Sequence, residues 1–110
     1  MNFKEYQKKA LTTAFHPKKY SIIYPALGLG NEAGEVMGKI KKWLRGDDGK
    51  GRMNRERKEA LKEELGDVLW YLSALSSDLN LSLDGIAKSN IAKLKSREKR
   101  NVLKGDGDKR

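Results

Sequence analysis

Apolar side chains recur along this chain at the three-and-four spacing of an α-helix, and nowhere with the alternation of a strand. Phe3, Tyr6, Ala10, Leu11 and Ala14 set the rhythm over residues 3–15. His16-Pro17 ends it, because the residue ahead of a proline is pushed out of the α region. Residues 18–25 read as a loop or short turn from which Ile22, Ile23 and Tyr24 pack on the core. A second helix is expected over 26–44, with Leu29, Ala33, Val36, Met37, Ile40, Trp43 and Leu44 on one stripe. Residues 46–51, Gly-Asp-Asp-Gly-Lys-Gly, form a connection rich in turn formers. A third helix over 55–79 sets Leu61, Leu65, Val68, Leu69, Leu72, Leu75 and Leu79 on an equivalent stripe. Trp70, Tyr71 and Ala74 lie off that stripe, and a helix apolar on two sides is buried on two sides. Asn80 to Ser82 break it, and Ser82 is a suitable N-cap for a fourth helix over 83–100. The fold class that follows is all-α, a four-helix-bundle-type subunit.

The two central helices share more than a stripe. Glu32-Ala-Gly-Glu-Val-Met37 is matched thirty-two positions later by Glu64-Leu-Gly-Asp-Val-Leu69: acid, apolar, glycine, acid, valine, apolar. On each helix the first acid lies about 80° from the centre of the stripe and the second about 140°, on the same side. If the stripes pack antiparallel, the local dyad brings both acidic flanks to one side, whereas a parallel pair sends them apart. Glu32, Glu35, Glu64 and Asp67 then converge. Gly34 and Gly66 fall on the opposite flank, where close approach of another backbone would offset their helix cost of about 1 kcal/mol against alanine. Converging carboxylates raise one another's pKa values or splay apart unless a cation compensates. Oxygen ligands alone suit Mg²⁺, with Mn²⁺ able to substitute, rather than zinc.

Composition narrows the class of partner. The chain has 110 residues, 37% of them hydrophobic, and no cysteine, so disulfides and thiolate metal sites are excluded. One domain is expected over 1–104, its modest core completed by oligomerisation, with 105–110 a disordered basic C-terminal tail. The opening Met-Asn-Phe-Lys-Glu-Tyr carries no signal core and no run is long and apolar enough for a membrane span, which points to a cytoplasmic protein with no membrane partner. The net charge of +9 either suits a polyanionic partner, a phosphate-rich small molecule or nucleic acid, or is plain solubilising charge. On the fourth helix Asn90, Lys93 and Arg97 share one face, where an amide and two cations could grip phosphate oxygens or simply be solvated. Tyr71 and Trp43 are placed to stack on a nucleobase or, for Trp43 above all, to pack in the core. His16 reads as a loop residue rather than a catalyst, and Asp47, Asp48, Asp106 and Asp108 as loop and tail charges.

Taken together these residues resemble the MazG-like nucleoside triphosphate pyrophosphohydrolases, within the all-α NTP pyrophosphatase group. That family's Glu-x-x-Glu and Glu-x-x-Asp correspond to Glu32–Glu35 and Glu64–Asp67, separated by a long spacer, and its following Asn-x-x-Lys to Asn90–Lys93, with Arg97 beyond. The resemblance covers residues 26–97. It implies Mg²⁺-dependent cleavage of an NTP or dNTP to the monophosphate and pyrophosphate, of the kind that cleanses nucleotide pools. It also implies four acids holding metal and acting in catalysis, Asn90, Lys93 and Arg97 binding phosphate, and a homodimer or homotetramer. Phosphoribosyl-ATP and dUTP are alternative substrates of the same core. A small basic helical module that binds nucleic acid, or acts like an antitoxin, is the alternative outside the enzymes. Against it, no helix-turn-helix signature is evident and paired acids repel phosphate, so nucleic acid is not the expected partner.

Overall fold

The computed structural model describes residues 1–46 and 51–110; Asp47 and Asp48 lie outside them. Four helices make up the described chain: α1 (Phe3–Leu11), α2 (Ile23–Arg45), α3 (Arg55–Asp78) and α4 (Leu83–Lys99), with a 3₁₀ turn at Lys18–Tyr20. No strand occurs among the described residues, and the all-α class holds.

Local chemistry sets the helix ends. Asn2, Asn54 and Ser82 cap α1, α3 and α4, their side chains accepting the backbone N–H of Glu5, Arg57 and Gly85. Helix α1 stops at Leu11, four residues short of the expected end. The hydroxyls of Thr12 and Thr13 bond back to the carbonyls of Lys9 and Ala10, a local alternative to the helical ladder. Helix α2 starts at Ile23, three residues earlier than its apolar rhythm suggests. Pro25 is tolerated there because the first turn has no intrahelical use for its missing N–H. Gly46 ends α2 in the left-handed conformation, at φ 73°.

Helices α2 and α3 form an antiparallel hairpin, as their contacts show in descending order. Gly28 lies under Tyr71, Glu32 faces Glu64 and Asp67, and Lys42 and Trp43 share a hollow with Arg57 and Leu61. Helix α1 lies across α3 and the start of α4. Its Gln7 ties the three together: Nε2 donates to Ser77 Oγ (3.0 Å) and to the Leu81 carbonyl (2.9 Å), and Oε1 accepts from Leu83 N–H (2.8 Å). Ala10, Ser73, Ala74, Ser76 and Leu83, all buried, let these segments approach closely. Trp70 adds a bond from Nε1 to Thr13 Oγ1 at 2.8 Å.

The stripes of the hairpin are only partly covered. Val36, Ile40, Val68 and Leu72 are half-buried, but Met37 is 68% exposed, Leu44 76% and Leu65 56%. The chain exposes 8616 Å², where about 6,100 Å² is expected of a compact monomer of this mass. Its radius of gyration is 17.0 Å, against about 13 Å for a compact chain of this length.

One polar knot fixes how α2 begins. Ile22 sits at φ 71°, a strained value for a β-branched residue. Its N–H donates to Asp78 Oδ2 at 2.8 Å, and the same oxygen lies 2.9 Å from Nε2 of the nearly buried His16. Burial pushes the Asp78 carboxyl up, but the bonds from Ile22, His16 and Ser21 outweigh it and hold the group below its ordinary pKa. A carboxyl depressed in the folded state stabilises above its ordinary pKa, near 3.9, and loses that contribution as pH falls through the lower folded value. Asp78→Asn is therefore expected to cost about 1–3 kcal/mol at pH 7. Urea unfolding measures this, and the gap to the native chain should narrow below about pH 4.

Candidate active site

Each copy of the acidic repeat sits midway along its helix, and the antiparallel crossing sets them face to face. One oxygen each of Glu32, Glu64 and Asp67 lie within 4.8 Å of one another. Glu35, one turn further along α2 and exposed, stands outside this trio. It is still close enough to act on Glu32, whose carboxyl is pushed above its ordinary pKa. Burial is the first cause, followed by the charges of Asp67, Glu64 and Glu35. Lys39, one turn past Glu35, reaches Glu64 Oε1 at 3.3 Å and supplies a single cation at the edge. Octahedral Mg²⁺ at about 2.1 Å from each oxygen sets its ligands roughly 3–4 Å apart. The trio's oxygens, all within 4.8 Å of one another, reach that spacing with at most small side-chain rotations, and the donor set is all oxygen. These residues fit a hard divalent ion.

Two hollows flank the acids along the hairpin. Beyond Asp67, a hollow of about 350 Å³ is lined by His16, Tyr24, Trp70 and Tyr71 among others. Tyr24 stacks on His16 with ring centroids 5.3 Å apart, and Trp70 meets Tyr71 edge-on at 5.0 Å. Towards the α2–α3 connection, a second hollow of about 240 Å³ is lined by Lys39, Lys42, Trp43, Met53 and Arg57. There Trp43 Nε1 donates to the Gly51 carbonyl at 3.2 Å. Each of the two aromatic candidates, Tyr71 and Trp43, thus lines its own hollow, one on either side of the acids.

Close helix approach occurs at a glycine that the repeat does not contain. A Cβ on Gly28 would lie 2.1 Å from the Tyr71 ring, whereas among the described residues, apart from its own turn of helix, nothing comes within 4 Å of one on Gly34 or Gly66. Gly28 stands one turn before Glu32, and Tyr71 one turn after Asp67. That symmetric placement about the acids is the signal by which sequence alone could have found it. Lys39, also passed over, sits at i+4 from Glu35, a spacing that pairs charges on a helix.

The face of α4 makes no bond to the acids among the described residues. Helix α4 leans on α1 rather than on the hairpin. Among the described residues no hydrogen bond or ion pair joins Asn90, Lys93 or Arg97 to the four carboxylates. Asn90 is exposed, while Lys93 and the buried Arg97 meet the last residues of the chain, at Asp108.

A family model, the MazG nucleotide pyrophosphohydrolase domain, matches residues 25–102. The chain belongs to the MazG family. The matched span runs from the first turn of α2 to just past α4 and contains every acid of the repeat together with Asn90, Lys93 and Arg97. Helix α1 and the last residues lie outside it. The Gene 37 protein of Mycobacterium phage L5 is 39% identical over 111 residues, covering 96% of this chain and 96% of its own. No solved structure matches. Membership supports a nucleotide pyrophosphohydrolase activity in general, and the acidic trio is the place in the structure where a divalent metal could serve it.

The electrostatics of the trio carry a stability consequence. A carboxyl whose folded pKa is raised destabilises the fold once pH passes its ordinary value near 4.3, increasingly so as pH rises through the folded value. Glu32→Gln is expected to raise the melting temperature of the chelator-treated protein at pH 7 and to leave it nearly unchanged at pH 4. Scanning fluorimetry at the two pH values checks both.

Proposed function

We propose that this MazG-family chain hydrolyses a nucleoside triphosphate, NTP or dNTP, between the α and β phosphates in a Mg²⁺-dependent reaction that yields the monophosphate and pyrophosphate. The observation that carries this is the meeting of Glu32, Glu64 and Asp67 oxygens within 4.8 Å. Such a site is repulsive by itself and becomes favourable with a divalent cation, which in turn draws in a polyphosphate. When bound, Mg²⁺ supplies neutralising charge to the triphosphate oxygens and makes a water more acidic. Glu32, Glu64 and Asp67 hold the ion, with Glu35 beside them. Glu35, exposed and outside the trio, is the carboxylate left to accept the proton of the attacking water. Asn90, Lys93 and Arg97 bind the phosphates and stabilise the charge that develops on the pyrophosphate. Tyr71 or Trp43 meets the base, and the hollows on either side of the acids support both placements.

A homodimer or homotetramer is part of the same reading. The uncovered Met37, Leu44 and Leu65 on the hairpin, and Ile91 and Leu94 on α4, are a surface that a second copy would bury. Helix α4 of one subunit would then deliver its cations to the acids of another. Soluble nucleotides as substrates place the enzyme in the cytoplasm, with pool cleansing its task. Among the described residues no helix is long and apolar enough to cross a membrane.

Incubation with the eight common NTPs and dNTPs, with Mg²⁺ and with chelator, should release pyrophosphate from at least one of them only with the ion. Glu35→Gln and Asp67→Asn should each lower kcat/KM at least about a hundredfold, with circular dichroism unchanged. Near-native rates for either variant at saturating Mg²⁺ would remove the assigned roles.

A further inference from the structure

Arg97 is 4% exposed, an unusual burial for a side chain assigned to an external phosphate. What covers it is the end of its own chain. Past α4 the backbone reverses through Asn101 at φ 61°, and Val102 N–H closes the turn on the Arg97 carbonyl at 2.8 Å. Gly105 and Gly107, at φ 144° and 83°, turn residues 105–110 back towards the helix. Arg110 pins the loop by donating to the carbonyls of Val102, Leu103 and Gly107, while Arg100 holds the Arg110 carbonyl. The returning strand of chain sets Asp108 over the cations of α4. Its carbonyl accepts from Arg97 Nη2 at 2.8 Å, and Oδ1 lies 3.4 Å from Lys93 Nζ and 3.5 Å from the same Arg97 nitrogen.

We infer that the C-terminal segment 105–110 is an internal anion ligand of the α4 cation pair, with Asp108 standing where a substrate phosphate would otherwise bind, so that the enzyme's affinity for polyphosphate is set by release of its own tail. This rests on the assignment of Lys93 and Arg97 to phosphate. The carboxylate lies across the pair, with the Lys93 amine and the Arg97 guanidinium sharing one oxygen, as two cations share a phosphoryl oxygen. The match is incomplete in an informative way. Arg97 Nε is buried and has no partner, a donor that Asp108 leaves unused and that a phosphoryl group with three acceptor oxygens could take. The internal ligand is also easy to displace, because the Asp108 side chain is 88% exposed and its contacts are at the long end of ion pairing. Although expected to be basic, residues 105–110 carry two aspartates against two bases, so their side chains balance and the tail competes through placement rather than through bulk electrostatics.

Calorimetric titration of the full chain with inorganic pyrophosphate, without metal, tests this directly. Asp108→Asn is expected to tighten pyrophosphate binding about three- to tenfold, and a chain ending at Lys104 to do at least as much. Asp106→Asn makes the same change of charge on a residue that touches neither cation, and should stay within about twofold of the native chain. In Mg²⁺ turnover assays the Asp108 variant should show a lower KM with kcat unchanged. Equal affinities for the native and Asp108→Asn chains, or equal gains from the Asp106 and Asp108 variants, would overturn the inference. Should the shortened chain fail to fold, the two point variants decide. Absence of pyrophosphate release from every nucleotide would instead defeat the proposed activity, and the metal-free titration reads the tail independently of it.

Discussion

Three carboxylates held within 4.8 Å on facing helices are the constraint around which this structure is arranged. Burial first, and then the charges of Asp67, Glu64 and Glu35, hold the Glu32 carboxyl above its ordinary pKa, so the arrangement by itself does not favour the folded chain. It persists because the hairpin that carries it is packed through apolar stripes and closed by contacts on either side of the acids. The energy comes from burial and the chemistry from repulsion, and the two lie on different faces of the same helices. A cation bound there would offset the repulsion, and on the proposed reading metal binding and fold stability would then be linked at one site.

Much of this was legible in the chain, for a definite reason. A helix repeats every 3.6 residues, so matched motifs on matched stripes leave one antiparallel arrangement in which both acid pairs face the same way. Glu32, Glu64 and Asp67 obey that rule. Glu35 stays outside the trio although Asp67, at the same angle of about 140° on its own helix, is inside it, an asymmetry that helical spacing does not carry. Helix ends were less legible. The stop at Leu11 depends on which carbonyls two threonine hydroxyls choose, and the start at Ile23 on the bond that Ile22 N–H donates to Asp78, fifty-six residues away from Ile22 in sequence. Periodicity carries no information on either. The path of the last residues was equally hidden, since Gly-Asp-Gly-Asp reads as polar chain until a buried arginine is there to receive it.

The direction of α4 is the other feature that spacing could not supply. Asn90, Lys93 and Arg97 share a face, as their intervals require, but a shared face does not say what it faces. Gln7 settles that within the subunit by binding the α3–α4 turn on both sides, to Ser77 and Leu81 and to Leu83, which draws α4 on to α1. The stripe residues Met37, Leu44 and Leu65 and the α4 residues Ile91 and Leu94 stay open as a result. Among the described residues, no hydrogen bond or ion pair joins the cations of α4 to the acids of the hairpin.

What keeps the acids in register is the spacing of the contacts along the hairpin. Asp78 ties the end of α3 to Ile22 at the start of α2. One and a half turns on, the Tyr71 ring rests on Gly28, where any side chain would collide. At the far end Trp43 bonds the Gly51 carbonyl in the connecting segment. Glu32 stands one turn past the middle contact and Asp67 one turn before it. A one-residue change in the register of α2, a screw step, would move Glu32 by about 1.5 Å along the helix and turn it by about 100°. That turn would carry it off the shared flank entirely. The glycine and the tyrosine forbid that step sterically, and the Asp78 knot forbids it through a bond to a strained backbone. The placement of the carboxylates therefore depends on residues that never touch the ion, and on two of them, Asp78 and Ile22, that lie at the opposite end of the helices from the connecting loop.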